Sequence, residues 1–313
     1  MISLEGKPLE NLVTFKKQLD DAGIGYRCGE PLSAHTTFHI GGAAEVFCIP
    51  KNQSELCECI RLCKKNIVPC YILGRGSNTL FSDDGYPGAV ILIGDDMSDV
   101  VVCDQTVYAD AGASLTKVCM AALQAGLTGL EFAYGIPGTV GGAIYMNAGA
   151  YGGEMKDVLI DVDFLDEQGH FCREASEKLE LGYRTSSFMR RECCIVGARF
   201  KLMPGDKTQI KAKMDELMQR RRDKQPLEFP SAGSTFKRPQ GAFAGALIEQ
   251  CGLRGFTVGG AAISEKHCGF VVNMGNATCA DIVALTKKVH DIVLEKTGFA
   301  LEREIRVVGE KEG

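Results

Sequence analysis

Glycine, and where it falls, constrains this chain most. The 37 glycines gather into short runs, chiefly Gly74-Arg75-Gly76-Ser77-Asn78 and Gly135-Ile136-Pro137-Gly138-Thr139-Val140-Gly141-Gly142. A residue without Cβ lets the backbone approach another group closely, so such runs mark turns pressed against something. The first run follows the apolar stretch 69–73, a strand that opens directly into a turn. Turns of this kind can offer several N–H groups to a pyrophosphate. The run is not the dinucleotide fingerprint of a doubly wound sheet, because Thr79 stands where a third glycine belongs, and no Walker sequence occurs. Alone it reads better as a structural turn. The second run shifts that balance: Gly138, Gly141 and Gly142 lead a short segment to Asn147, so another N–H-rich concavity is expected. Two such turns could clamp one extended dinucleotide, and FAD held without either phosphate fingerprint is the natural candidate.

Composition sets the bounds. A length of 313 residues suits two domains, or three small ones. The hydrophobic fraction of 45% and charged fraction of 24% are those of an ordinary globular protein. A net charge of -5 gives no reason to expect nucleic-acid binding, so an anionic ligand needs a pocket built for it. No apolar run approaches the roughly 20 residues of a membrane helix, and residues 1–10 hold no apolar signal core. A soluble, cytoplasmic chain is expected. The 14 cysteines include no CxxC pair, and they read as small reduced hydrophobes rather than metal ligands or disulfides. His35 and His39 stand four apart in a threonine-rich extended segment without carboxylate or cysteine neighbours. No metal site is expected there.

Periodicity gives the elements. Residues 9–21 read as an amphipathic helix with Leu9, Leu12, Val13 and Leu19 on one face. Ser54 is expected to cap a second helix with the stripe Leu56, Cys59, Ile60 and Cys63. Strands are expected at 69–73, 100–103, 107–111, 158–165 and 194–202. Between them a helix over 114–125 turns Leu115, Val118, Cys119 and Ala122 inward and ends at Gly126. Residues 206–223 form a helix with Ile210, Met214, Leu217 and Met218 buried, stopped by Pro226, and Arg220-Arg221-Arg222 reads as its solvated end. Thr278 and Asp281 have capping-box spacing before a long helix ending at Gly298. A final strand over 301–308 sets Leu301, Ile305 and Val307 against Glu302, Glu304 and Arg306 on the other face. There is no internal repeat or low-complexity segment. Domain boundaries are expected as 1–95 and 96–204 for two halves of a cofactor domain, 205–298 for substrate binding, and 299–313 for a returning strand.

An ordered set of motifs then carries a resemblance. It comprises Thr36-Thr37-Phe38-His39-Ile40-Gly41-Gly42, the two glycine runs, and Asn147-Ala148-Gly149-Ala150-Tyr151-Gly152. Next come Gly182-Tyr183-Arg184-Thr185-Ser186-Ser187-Phe188 and Lys224-Gln225-Pro226, then Ser231-Ala232-Gly233-Ser234-Thr235-Phe236-Lys237-Arg238-Pro239. Gly245-Ala246-Leu247-Ile248-Glu249, Gly252-Leu253, Ser264-Glu265-Lys266-His267 and Leu301-Glu302-Arg303-Glu304-Ile305-Arg306 complete it. In this order, over about residues 33–309, the set resembles the UDP-N-acetylenolpyruvoylglucosamine reductase family. The stretch 188–195 is too short for the tyrosine-bearing loop of one branch, so the chain is similar to the shorter branch. Arg238 stands where the other branch has asparagine, and His39 where a different basic residue is common.

The resemblance implies an α+β fold: a two-domain FAD-binding unit of the vanillyl-alcohol-oxidase type plus a third, α+β substrate-binding domain. It implies FAD as cofactor, NADPH as reductant, and an enolpyruvyl UDP-sugar as the small-molecule substrate of a monomeric enzyme of peptidoglycan synthesis. Ser234 is the implied proton donor, Arg184 the cation for the substrate carboxylate, and Glu304 their acidic neighbour. A planar guanidinium suits a carboxylate, and enolate chemistry needs both charge stabilisation and a placed proton. Implied cofactor-binding positions are Thr37, His39, Gly74, Arg75, Gly76, Ser77, Asn78, Gly135, Ile136, Pro137, Gly138, Thr139, Gly141, Gly142, Ile195 and Val196. Implied substrate-binding positions are Asn147, Tyr151, Tyr183, Lys224 and Lys266. Taken singly, Ser234 reads as a turn serine, Arg184 as a surface arginine and Glu304 as a solvated strand face. The rival readings are a flavin oxidase of the same fold, re-oxidised by oxygen, and a non-catalytic nucleotide-binding module.

Overall fold

A computed structural model describes residues 7–309, with side chains from Glu10 onward. The expectation for a signal core therefore lies largely outside the described residues, as does the side chain of Leu9. Two compact units result. One gathers residues up to 29, 45–75 and 88–219, and the other 30–44, 76–87 and 220 onward.

The first unit is built on two larger sheets. The four-stranded one runs Tyr26–Pro31, Ala43–Cys48, Tyr86–Leu92, Cys70–Leu73 across its width. Its last two strands are parallel, in register from Cys70 opposite Ala89 to Leu73 opposite Leu92. The five-stranded one runs Phe171–Ala175, Leu159–Leu165, Cys194–Lys201, Thr106–Asp110, Val100–Cys103, antiparallel throughout.

Helices cover these sheets by their apolar stripes. Helix α1 (Lys7–Asp21) buries Phe15 and Leu19, but Val13 is 62% exposed. Leu12, Phe15 and Leu19 follow the three-to-four spacing of one face, and Val13 sits about 100° away from Leu12. Helix α2 (Gln53–Lys65) begins one turn boundary earlier than expected. Its cap is Asn52, whose side chain accepts from the Glu55 N–H at 2.9 Å, while Glu55 accepts the Lys51 N–H at 2.9 Å. That reciprocal arrangement satisfies two orphan donors, which Ser54 could not do from inside the helix. Leu56, Cys59, Leu62 and Cys63 are buried beneath it. Helix α3 (Leu115–Ala125) has Ser114 as N-cap and Gly126 at φ 71° as C-cap, as its sequence requires. A short α4 (Val140–Tyr145) follows the second glycine run. Helix α5 (Lys207–Lys224) buries Ile210, Met214 and Leu217. The same 4-3-4 spacing continues to Arg221, which is 6% exposed, so the triple-arginine run is not simply a solvated end.

The second unit contains α6 (Ala244–Gln250) and α7 (Cys279–Thr297). Beside them stands a three-stranded antiparallel sheet, Thr257–Val258, Ala261–Ile263, Val271–Asn273. The Thr278–Asp281 capping box forms, and Gly298 closes the far end at φ 77°. Asp83 adds its carboxylate to the first turn, accepting from the N–H groups of Cys279 at 2.7 Å and Ala280 at 3.0 Å. The expected last strand pairs only over Arg306–Val308, parallel to Thr79–Phe81. Residues 301–305 are extended, with Leu301 and Ile305 buried, but Arg303 makes only an isolated bridge with Phe236. Phe38, Ile40 and Leu80 share this unit's core with Ile248, Ile282, Leu285 and Val289. Among the described residues no helix is long and apolar enough to cross a membrane, and no cluster of three potential metal ligands occurs.

Candidate active site

In the first unit the two glycine runs meet. A Cβ built on Gly74 would lie 2.6 Å from Thr139 Oγ1, closer than any real contact, so the turn can rest there only because Gly74 has none. Thr139 is the N-cap of α4, its hydroxyl accepting the Gly142 N–H at 3.4 Å. The N–H groups of Val140 and Gly141 donate to Ala113 and Ala111, both at 2.9 Å, and Gly138 N–H donates to Ile136 at 2.9 Å. The second run is therefore narrower in available N–H groups than its sequence suggested; those of Ile136, Gly138, Val140, Gly141 and Gly142 are already engaged. Ala111 N–H in turn donates to Val196 at 2.9 Å, which sets the strand carrying buried Ile195 and Val196 behind the same turn. Gly135, Ile136, Pro137, Gly138, Gly141 and Gly142 remain accessible, and Arg75 is exposed.

Arg184 sits at φ 53° in a tight turn whose ends bond each other: Gly182 N–H to Thr185 O at 3.1 Å and Thr185 N–H to Gly182 O at 3.3 Å. Its guanidinium donates to Gly149 O at 3.1 Å and lies 5.1 Å from the centre of the Tyr183 ring. Tyr151 occupies the tip of the neighbouring hairpin, in which Gly153 pairs with Ala150 and Glu154 with Gly149. Both tyrosines are exposed. Asn147, expected among the substrate ligands, is wholly inaccessible; its amide is taken up by Glu154, Gly182 and Lys156.

In the second unit an extended segment carries Ser234 between two others. Ser234 bridges Phe270, and Thr235 N–H donates to Gly269 O at 2.9 Å. On its other side Thr235 O accepts the Glu304 N–H at 2.8 Å. The residue next to Ser234 is thus bonded directly to Glu304. The end of the first glycine turn joins them: Asn78 Nδ2 donates to Glu304 O at 3.3 Å, and Arg306 N–H to Asn78 O at 3.0 Å. Thr37 N–H donates to Gly76 O at 3.3 Å and its hydroxyl to Ser231 O at 2.6 Å. A Cβ on Gly76, at φ 59°, would meet His35 O at 2.3 Å. Thr37, Gly76, Ser77, Asn78, Ser234 and Glu304 therefore form one backbone-bonded group.

His39, exposed and left-handed at φ 56°, makes no side-chain bond shown here. His35 does have a carboxylate neighbour, contrary to expectation: Glu30 lies 2.8 Å from its Nε2, brought back by the helical turn Leu32–His35. Lys224 is exposed. Lys266 Nζ donates to Arg222 O at 2.6 Å and lies 3.7 Å from Glu228. Two contributors escaped the sequence reading. His267 accepts the Gly269 N–H on Nδ1 at 3.0 Å and packs edge-on to Phe270 at 5.0 Å, beneath the Ser234 bridge. Burial pushes its pKa below the ordinary value, with Arg254 and Lys224 acting in the same direction. Asp83 is the other, through its hold on α7. Asp83 acts through a pairing that only the fold creates.

The first unit sets the two glycine turns against each other, and the accessible glycines Gly74, Gly135 and Gly142 would line an extended cofactor held there. Residues 44–174 match the FAD binding domain model, so fold and match together define an α+β protein of the FAD-binding class. Residues 225–308 match the model for the UDP-N-acetylenolpyruvoylglucosamine reductase C-terminal domain. Curated reductases of that name resemble the chain over almost its whole length. The one from Lachnoclostridium phytofermentans is 48% identical, covering 91% of this chain and 93% of its own. That from Caldanaerobacter subterraneus subsp. tengcongensis is 47% identical, with coverages of 96% and 99%. The crystal structure of the Thermus caldophilus enzyme superposes with a TM-score of 0.76 at 35% identity, covering 91% of this chain and 98% of its own. The chain belongs to the UDP-N-acetylenolpyruvoylglucosamine reductase family. It is an oxidoreductase of peptidoglycan biosynthesis with an FAD-binding domain.

Proposed function

We propose that the protein reduces UDP-N-acetyl-3-O-(1-carboxyvinyl)-glucosamine to UDP-N-acetylmuramate in the cytoplasm, with NADPH as the source of electrons. FAD, when bound, supplies hydride chemistry. The protein's own task is to orient the enol ether, neutralise its carboxylate and place one proton. Arg184 pairs its guanidinium with the carboxylate, which gains electron density as the vinyl group is reduced. Ser234 gives its hydroxyl proton to the carbon bearing that carboxylate. Glu304 faces the same carboxylate or enol oxygen and governs its protonation. Tyr151 and Tyr183 border the sugar, and Lys224 with Lys266, from a substrate-binding region spanning 205–298, meet the diphosphate.

The single observation that carries this reading is the bond from Glu304 N–H to Thr235 O, beside Ser234, with Asn78 of the glycine turn donating to Glu304 O. A proton donor, a carboxylate and the expected cofactor turn are thereby held as one piece. Loss of a placed proton donor costs ~10²–10⁴-fold in rate. Ser234→Ala should accept electrons from NADPH at the normal rate, seen as flavin bleaching, yet pass them to the enolpyruvyl sugar at least ~10²-fold more slowly. Normal reoxidation by the sugar would remove Ser234 from the reaction. Anaerobic bleaching of the flavin by an unrelated alcohol, with no recovery of colour from the NADPH-reduced flavin on adding the sugar, would replace the whole assignment.

A further inference from the structure

We propose that Asn147 is the residue that positions the carboxylate-binding turn, and that it does so without touching substrate; this rests on the reading of Arg184 given above. An amide side chain has two N–H donors and one carbonyl, and the protein uses all three. The N–H groups go to Glu154 Oε2 at 2.8 Å and Gly182 O at 2.9 Å, and the carbonyl accepts the Lys156 N–H at 3.0 Å. Asn147 has no exposed surface, so it has neither donors nor access left for a ligand.

These bonds close a circuit. Asn147 holds Gly182, which opens the turn carrying Tyr183 and Arg184. Arg184 reaches Gly149, Gly149 pairs with Glu154, and Glu154 accepts from Asn147. The circuit also gathers strain. Of the seven non-glycine residues with positive φ among the described residues, Asn147, Tyr151, Glu180 and Arg184 belong to this region, at 41°, 54°, 49° and 53°. Such conformations persist only where surrounding structure over-determines them, and they concentrate at working sites. Arg184 cannot relax to an ordinary backbone while Gly182 is anchored and its guanidinium is tied to Gly149. The geometry that aims the fork at a carboxylate is set from behind by Asn147.

The test compares two ligands that differ in the group Arg184 would read. UDP-N-acetylmuramate carries the carboxylate; UDP-N-acetylglucosamine does not. Calorimetric affinities are measured on the FAD-loaded enzyme and its Asn147→Gly, Asn147→Asp and Arg184→Ala variants. Glycine accepts the left-handed backbone and aspartate keeps the shape, so should one variant fail to fold, the other carries the comparison. UDP-N-acetylmuramate should bind roughly tenfold more weakly to either Asn147 variant, and UDP-N-acetylglucosamine as to the parent. The double variant Asn147→Gly with Arg184→Ala should bind no more weakly than Arg184→Ala alone. Equal losses for both ligands, no loss, or an Asn147 effect that survives without Arg184 would overturn the proposal. Arg184→Ala with undiminished preference for the carboxylate would overturn the reading of Arg184 as well.

Discussion

Cys70 differs from the other thiols because of one neighbour. It is exposed at the start of a strand, and a hydrogen bond from Cys63 holds its pKa below the ordinary thiol value. Cys119 is buried, and desolvation pushes its thiol up to about 12. Thiolate fraction and access govern alkylation. Brief iodoacetamide treatment of the native protein should therefore label Cys70 first, ahead of exposed Cys28 and Cys103, and leave Cys119 untouched until unfolding; peptide mass mapping gives the order. His267 makes a second prediction at this scale. Its folded pKa lies below 6.5, so between that value and 6.5 the unfolded chain binds more protons than the folded one. The stability is full above about pH 6.5 and falls as pH drops through the window. His267→Gln should flatten that acid limb of a plot of Tm against pH, and an unchanged slope would show that the ring does not titrate on unfolding. Neither effect could be read from sequence, because one depends on the approach of Cys63 and the other on burial of the His267 ring, and both are set by the fold.

At the scale of elements, much was legible. Ser114 with Gly126, and Thr278 with Asp281 and Gly298, mark helix ends because the capping chemistry is local. The apolar runs at 100–103 and 194–202 likewise need no partner to be seen. What misled was competition between nearby signals: Asn52 outcompeted Ser54 as a cap because only Asn52 lies three residues before the Glu55 N–H it bonds. The terminal strand was expected too long, since alternation continues through 301–305 although pairing starts at Arg306. The family was legible as an ordered set of motifs, but the reduced N–H supply of residues 138–141 and the closed role of Asn147 were not. Asp83 supplies a test here. Its carboxylate satisfies two N–H groups at the first turn of α7, where negative charge also suits the helix dipole. Asp83→Ala should cost about 1 kcal/mol in urea denaturation, and a loss within error would mean that Thr278 alone suffices.

For the whole molecule, the two compact units do not follow the chain as consecutive blocks. The second is assembled from 30–44, 76–87 and 220 onward. Phe38, Ile40 and Leu80, all at most 3% exposed, share a core with Ile248, Leu285 and Val289. A fragment ending at residue 219 would carry the first three residues without that core. It should bind a hydrophobic dye such as ANS and aggregate where the full chain does not, and a monomeric, dye-silent fragment would contradict the partition. No composition shift announces such interleaving, which is why the linear sequence gives no hint of it.

The parallel pairing of Arg306–Val308 with Thr79–Phe81 bears on how the protein is made. Strands far apart in the sequence must find each other, and closing so long a loop slows folding. During synthesis, the glycine turn at 76–78 emerges early but lacks the bonds between Asn78 and Glu304 and Arg306 until residues 304–306 have been made. A prematurely terminated chain would then be an incomplete fold rather than a poor catalyst, and quality-control proteases could discard it before it ever competed for flavin.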